Sequence, residues 1–204
     1  MKHINHAFTI DKKSYIEISD TDLKKHYFQW SKLCKQIDSD ISISHKNFDI
    51  IGDPFSEYGG YNHKSINHYM RNQKALDARE LDILSHLMIA NIFYAPRIPE
   101  NIIVYRGVNQ FCDYDFNNEY NSFKELGFLS TSISAEKAEQ FASSKKMLKI
   151  YVRKNTPGIY MDVIWDRKEN EILFPPSAIL TLISEPYYDE NLLVTIYECT
   201  LDYY

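Results

Sequence analysis

Apolar residues change their rhythm at Pro99. Before it they recur every three or four positions, the spacing of one helical face; after it they gather in short runs rich in β-branched and aromatic residues. Leu23, Tyr27, Trp30, Cys34 and Ile37 predict a helix over 23–37, with Thr21 as its N-cap. Gly52, Pro54, Gly59 and Gly60 make 49–60 a loop, and a short helix follows over 65–71. The clearest helix is 77–94. Leu81, Leu84, Met88 and Ile92 share one face, and Asp77 and Glu80 place acids at the positive end of its dipole. Pro96 and Pro99 stop it.

Beyond Pro99 the runs predict strands at 102–105, 128–132, 147–152, 171–174, 179–183 and 193–201. Between the second and third, 136–141 reads as one or two helical turns, with Phe141 on the core side. There is no internal repeat and no low-complexity tract. The expected architecture is α+β: a helical N-terminal part packed on a β-rich part, in a single domain over 1–204.

Composition narrows the function classes. The chain has 204 residues, 44% hydrophobic and 25% charged, enough for a real core. A net charge of -5 and the lack of a basic block argue against a broad nucleic-acid-binding face. Cys34, Cys112 and Cys199 are odd in number and far apart, so neither a disulfide framework nor a metal site is expected. The simplest compartment is a reducing one. The seven histidines form no metal-binding helix pattern; His63 and His68 lie five apart. Residues 1–10 lack the apolar run of a leader, and no stretch is apolar enough to span a membrane. The expected location is cytoplasmic, in the producing cell or in a target cell reached without a cleaved leader.

Three segments of the β-rich half combine polar groups with apolar strands. In Val104-Tyr105-Arg106-Gly107, an arginine ends an apolar run. Its planar fork suits a carboxylate of the fold or a bound phosphate. In Phe128-Leu129-Ser130-Thr131-Ser132, period two places Ser130 and Ser132 on one face and Thr131 on the other. Such hydroxyls can hold a ribose, orient a carboxylate or simply edge a strand. In Glu169-Asn170-Glu171-Ile172-Leu173-Phe174-Pro175, two carboxylates two residues apart face the same way in extended backbone, at the rim of an apolar run. Paired carboxylates in a cleft can divide the roles of base and electrostatic partner; on a surface they are a solvated acidic turn.

In this order the three segments resemble the arginine-specific branch of the ADP-ribosyltransferase superfamily, the R–S–E class of toxin-like mono-ADP-ribosyltransferases. Ala138-Glu139-Gln140-Phe141-Ala142 after the serines, and Tyr61 with Ile66-Asn67-His68-Tyr69-Met70-Arg71 upstream, extend the resemblance to about residues 58–201. Residues 1–57 are a helical part with no recognisable motif. The resemblance implies a two-sheet core with a central NAD cleft, NAD as co-substrate and no metal.

The resemblance also assigns roles. Arg106 would grip the NAD pyrophosphate, and Ser130 would hold the nicotinamide ribose. Glu171 would stabilise the positive charge that grows at the ribose C1′ as nicotinamide leaves, and Glu169 would position or deprotonate the acceptor. Gly107, Thr131, Ser132, Tyr61, Asn67 and Arg71 would complete the NAD site. The turn over 160–168 would recognise the substrate through Trp165. The implied acceptor is a macromolecule, with a protein arginine first and nucleic acid as the alternative. An antitoxin or immunity protein is a further candidate partner. The same core would also serve a glycohydrolase with water as acceptor, or an NAD-binding module without turnover.

Overall fold

The computed structural model describes residues 10–44, 54–72, 78–109, 121–164 and 168–203; the side chains of 34–44 and of Tyr61 lie outside that description. Helix α1 (Asp20–Ser44) starts earlier than Thr21 would have it. Ser19 is the cap: its Oγ accepts from the Asp22 amide at 3.1 Å, and its carbonyl accepts from the Leu23 amide. Leu23, Tyr27 and Trp30 form the buried face, and the Tyr27 hydroxyl donates to the Gly158 carbonyl at 2.7 Å.

The end of the expected loop is helical instead. Helix α2 (Pro54–Glu57) and a turn over Tyr58–Asn62, kinked at Gly60 where the backbone leaves helical geometry (φ -77°, ψ -124°), lead into α3 (His63–Asn72). Pro54 stands at a first helical position, where its fixed φ helps, and Phe55 and Tyr58 are buried, while Gly60 still breaks the helical run. Helix α4 (Arg79–Tyr94) buries Leu84, Met88 and Ile92 as its periodicity predicts; Asp77 lies outside the described residues.

The second half supplies β1 (Ile102–Val108), β2 (Ser122–Glu125), β3 (Leu129–Ser132), helix α5 (Ala135–Glu139), β4 (Lys146–Val152), β5 (Ile159–Tyr160), β6 (Glu171–Phe174), β7 (Ala178–Leu182), β8 (Tyr187–Asp189) and β9 (Val194–Asp202). Strand order is β2-β7-β9-β4-β1-β3-β6-β5, with β8 also on β9. β4 and β9 run parallel, and the other pairings are antiparallel. The sheet is two blocks that meet narrowly. β1 pairs with β4 along seven residues, but with β3 only at Tyr105↔Ser132. The expected α+β class takes the form of helices on one large mixed sheet, narrowed where β1 meets β3.

Alternation sets the two faces. Ile102, Val104, Leu148 and Ile150 pack with α1 to α4, whereas Ile103, Tyr105, Met147 and Tyr151 pack on the other side with Ala138 and Ala142. Ile16 bridges to Ile102 through the backbone, and on that second side Lys12 pairs with Glu198 and the Tyr105 hydroxyl donates to Glu17 at 2.7 Å. Phe141 is 57% exposed rather than in the core. Helix α5 stops at Glu139, so Phe141 is off its inward face, and Ala138 and Ala142 fill the positions over the sheet.

Small residues are needed there because α5 rests on Gly107. A Cβ at Gly107 would lie 2.3 Å from the Ala138 carbonyl oxygen and 2.7 Å from the Ala142 nitrogen. These are backbone atoms and cannot swing aside. Gly107→Ala should therefore lower the unfolding free energy by about 3 kcal/mol, read from urea denaturation. A loss near zero would show that α5 can lift without penalty.

Candidate active site

The narrow junction of β1 and β3 gathers the polar residues of the three segments. Arg106 leaves β1 there and its Nη1 donates to the Ser130 carbonyl at 2.6 Å. Between β3 and β6 the register sets Ser132 opposite Glu171 and Ser130 opposite Leu173. Period two brings Ser130 to the same face as Glu171, and the Ser130 Oγ donates to Glu171 Oε1 at 2.5 Å. This is a short, charge-assisted bond between two half-buried groups.

The other two hydroxyls are structural. Thr131, on the opposite face, donates to the Ile172 carbonyl at 2.9 Å. Ser132 donates to the Glu169 carbonyl at 2.9 Å and accepts from the Ser134 amide at 3.2 Å. They tie the turn to its strand. The backbone of Glu169 is thus held while its side chain is half-buried on the same turn as Glu171.

That turn is held from below by a residue the motifs did not point to. Lys168 and Asn170 have φ of 58° and 55°, the left-handed region that asparagine tolerates better than most. Asp162 is buried, and its Oδ2 accepts from the Asn170 amide at 3.1 Å. Burial raises the Asp162 carboxyl above the ordinary aspartate range, against the pull of the Asn170 and Glu171 amides. The Tyr160 hydroxyl donates to Asp20 at 2.5 Å and lies 3.3 Å from Asn170 Oδ1, so the first turn of α1 braces the same corner.

Helix α3 closes the other side. Asn67 is 9% exposed; its Oδ1 accepts from the Phe128 amide at 2.8 Å and its Nδ2 donates to the Tyr58 hydroxyl at 2.9 Å. One turn later Arg71 forms a bidentate pair with Glu125, Nε to Oε1 at 2.9 Å and Nη2 to Oε2 at 3.0 Å. Burial pushes the Glu125 carboxyl up, but Arg71, the charge of Arg106 and the Gly127 amide outweigh it and hold it below the ordinary glutamate range. Burial raises the Tyr58 hydroxyl well above its usual range, and the charge of Glu171 adds to this. Tyr58 therefore lies within electrostatic reach of Glu171.

The structure thus brings Arg106, Ser130 and Glu171 together, with Glu169 on the adjoining turn. Asn67 and Arg71 sit on the helix beside them with much of their hydrogen bonding already committed. Gly107 lies beneath α5. The side chain of Tyr61 and all of Trp165 lie outside the described residues. Glu125, Asp162 and Tyr58 were missed because isolated acids and a tyrosine in a glycine-rich stretch carry no burial signal of their own. Cys199 is buried, and burial raises its thiol, so it is no ready nucleophile. Among the described residues no group of three or more His, Cys, Asp and Glu could hold a metal ion, and no helix is long and apolar enough to cross a membrane.

The Arg71–Glu125 pair, of which the carboxylate is the buried member, has a pH signature. A depressed carboxyl contributes stability above the ordinary glutamate pKa and loses it as pH falls through the lower folded-state value. Urea denaturation should show the wild type losing stability below about pH 4. Glu125→Gln should lose less over that interval, and equal losses would mean the pair carries no linkage.

Residues 24–184 match the family model described as ADP-ribosyltransferase exoenzyme. Among curated proteins none matches the chain in sequence. Solved structures do match in fold. BECa, an ADP-ribosylating toxin of a binary enterotoxin of C. perfringens solved with NADH, is 19% identical with a TM-score of 0.65, over 89% of this chain and 47% of its own. The chain therefore spans about half the length of BECa. Plx2a, an ADP-ribosyltransferase toxin from Paenibacillus larvae, is 16% identical with a TM-score of 0.68, over 89% of this chain and 94% of its own. Exoenzyme S from Pseudomonas aeruginosa, solved with human 14-3-3 protein beta and carba-NAD, is 18% identical with a TM-score of 0.60, over 84% of this chain and 86% of its own.

Proposed function

The chain belongs to the ADP-ribosyltransferase exoenzyme family, and from that membership we propose that it is an NAD-dependent mono-ADP-ribosyltransferase with a toxin- or effector-like role, whose acceptor is an arginine side chain of a protein. The observation that carries this reading is the 2.5 Å bond from Ser130 to Glu171, beside an arginine anchored on the carbonyl of the same serine. The donor set fits the dinucleotide: guanidinium groups at Arg106 and Arg71 suit a diphosphate, and a hydroxyl paired with a carboxylate suits a ribose. NAD supplies a ribose carbon with a good leaving group.

The chain's own residues do the rest. Arg106 binds the diphosphate and fixes the register of the ribose. Ser130 orients the Glu171 carboxylate, so that one oxygen faces the ribose. Glu171 places negative charge where positive charge grows at C1′ as the bond to nicotinamide breaks and its electron pair leaves with nicotinamide. Glu169 meets the acceptor. An arginine is protonated at neutral pH, so its nitrogen can attack C1′ only if it gives up a proton, and Glu169 is the group to take it.

The test uses NAD labelled in its ADP-ribose half, a cell lysate, and Glu171→Ala as control. Label retained by wild type only, and removed by protease but not by nuclease, is the expected result, with the label mapped to arginine by mass spectrometry. Label removed only by nuclease would give nucleic acid the acceptor role. Nicotinamide release without retained label would make water the acceptor and the enzyme a glycohydrolase.

A further inference from the structure

An arginine that binds a diphosphate needs its guanidinium plane fixed, because the fork has only two useful edges. Arg71 is 34% exposed on α3, yet its Nε–Nη2 edge is held by both oxygens of a carboxylate that is itself only 2% exposed. That carboxylate is anchored in turn: Glu125 Oε1 accepts from the Gly127 amide at 2.8 Å. One helical turn before Arg71, Asn67 accepts from the Phe128 amide. Both residues of the α3 face are therefore seated on the stretch 125–128. This stretch leads straight into β3, whose Ser130 carbonyl accepts from Arg106 and whose Ser130 hydroxyl meets Glu171.

We propose that Glu125 is a positioning residue for dinucleotide binding: it orients the guanidinium of Arg71 toward the diphosphate and locks α3 to the strand that carries Ser130. This rests on the reading of the cleft as an NAD site. A buried carboxylate beside a site for an anion looks counterproductive, since it lowers the positive potential. Two effects therefore compete when it is removed. The potential rises, which favours the diphosphate; the Nε–Nη2 edge of Arg71 loses its bidentate anchor, which disfavours it. Water screens the first at a one-third exposed arginine, whereas the second is a loss of geometry that solvent does not restore. Orientation wins.

The experiment is steady-state nicotinamide release with NAD as the varied substrate, in wild type, Glu125→Gln, Arg71→Met and the double variant, each with a thermal denaturation curve. Glu125→Gln should raise KM for NAD about tenfold, the scale of one charge-assisted hydrogen bond, while kcat stays within about threefold. In the Arg71→Met background the same substitution should change KM less than about twofold, because the group it acts through is gone. A general weakening of the fold would not produce that dependence. If Glu125→Gln does not fold, Glu125→Asp keeps the charge but is too short for the bidentate pair, and the same KM rise is expected. An unchanged or lower KM, or a rise that persists without Arg71, overturns the proposal. A folded wild type that releases no nicotinamide overturns the NAD reading beneath it instead.

Discussion

Glu171→Gln is expected to slow nicotinamide release from NAD by about 10²–10³-fold, while the protein melts close to the wild-type temperature. Glutamine keeps the shape of the side chain, and its amide oxygen can still accept from Ser130. The β6 pairing of Glu171 with Ser132 is a backbone matter and persists. What is lost is the negative charge beside the ribose, and charge aimed at a developing cation is the largest single contribution asked of this site. Measured at saturating NAD, the loss should lie in kcat, because the charge acts on the transition state more than on the ground state. A loss below tenfold in a folded variant would mean that the carboxylate is not the stabilising group.

Glu169→Gln should separate transfer from cleavage. Loss of the acceptor base should lower transfer to arginine by about 10²-fold, with nicotinamide release within about threefold of wild type. The structure favours such a split. The Glu169 carbonyl is fastened by Ser132, and the next residue is held by Asp162, so the turn does not depend on the Glu169 side chain. Transfer is read with agmatine or a protein acceptor, and cleavage from free nicotinamide in the same tube. If both rates fell together, Glu169 would belong to the cleavage machinery. If neither moved, its role in acceptor activation would be wrong.

Much of this site was legible in the chain. Strands β1, β3, β4, β6, β7 and β9 announce themselves by β-branched and apolar runs, and the period of two correctly separates Ser130 and Ser132 from Thr131. The helices α1 and α4 follow from apolar spacing, and α3 was expected as a short helix over 65–71. Other elements were not legible. β2 (Ser122-Phe123-Lys124-Glu125) has no β-branched or apolar run, and β5 and β8 have two and three residues, too short for a periodic signal. The glycine-rich stretch before α3 read as loop because Gly59 and Gly60 disfavour a helix locally; the chain does break at Gly60, but the turns around it bury Phe55 and Tyr58 and are helical. Thr21 read as the cap because it is a hydroxyl residue just ahead of the apolar face, but the Asp22 and Leu23 amides turn to Ser19. Phe141 has helical spacing, but spacing does not say where α5 stops.

What the sequence by itself determined are the local terms: which residues alternate, which stretches prefer strand or helix, and the order in which an arginine, a serine triplet and a pair of glutamates follow one another. Those terms depend on neighbours a few positions apart. The tertiary structure decided which of those groups meet. The β3–β6 register brings the Ser130 hydroxyl within 2.5 Å of Glu171 Oε1, and the short β1–β3 pairing at Tyr105↔Ser132 lets Arg106 reach the Ser130 carbonyl. The pairing of Arg71 with Glu125 spans 54 positions. A solvated Arg71 and a solvated Glu125 look like any other surface charges in a sequence. Only when folding removes water from one of them does the free energy demand a partner, and that demand couples α3, the 125–128 stretch and β3 into one site.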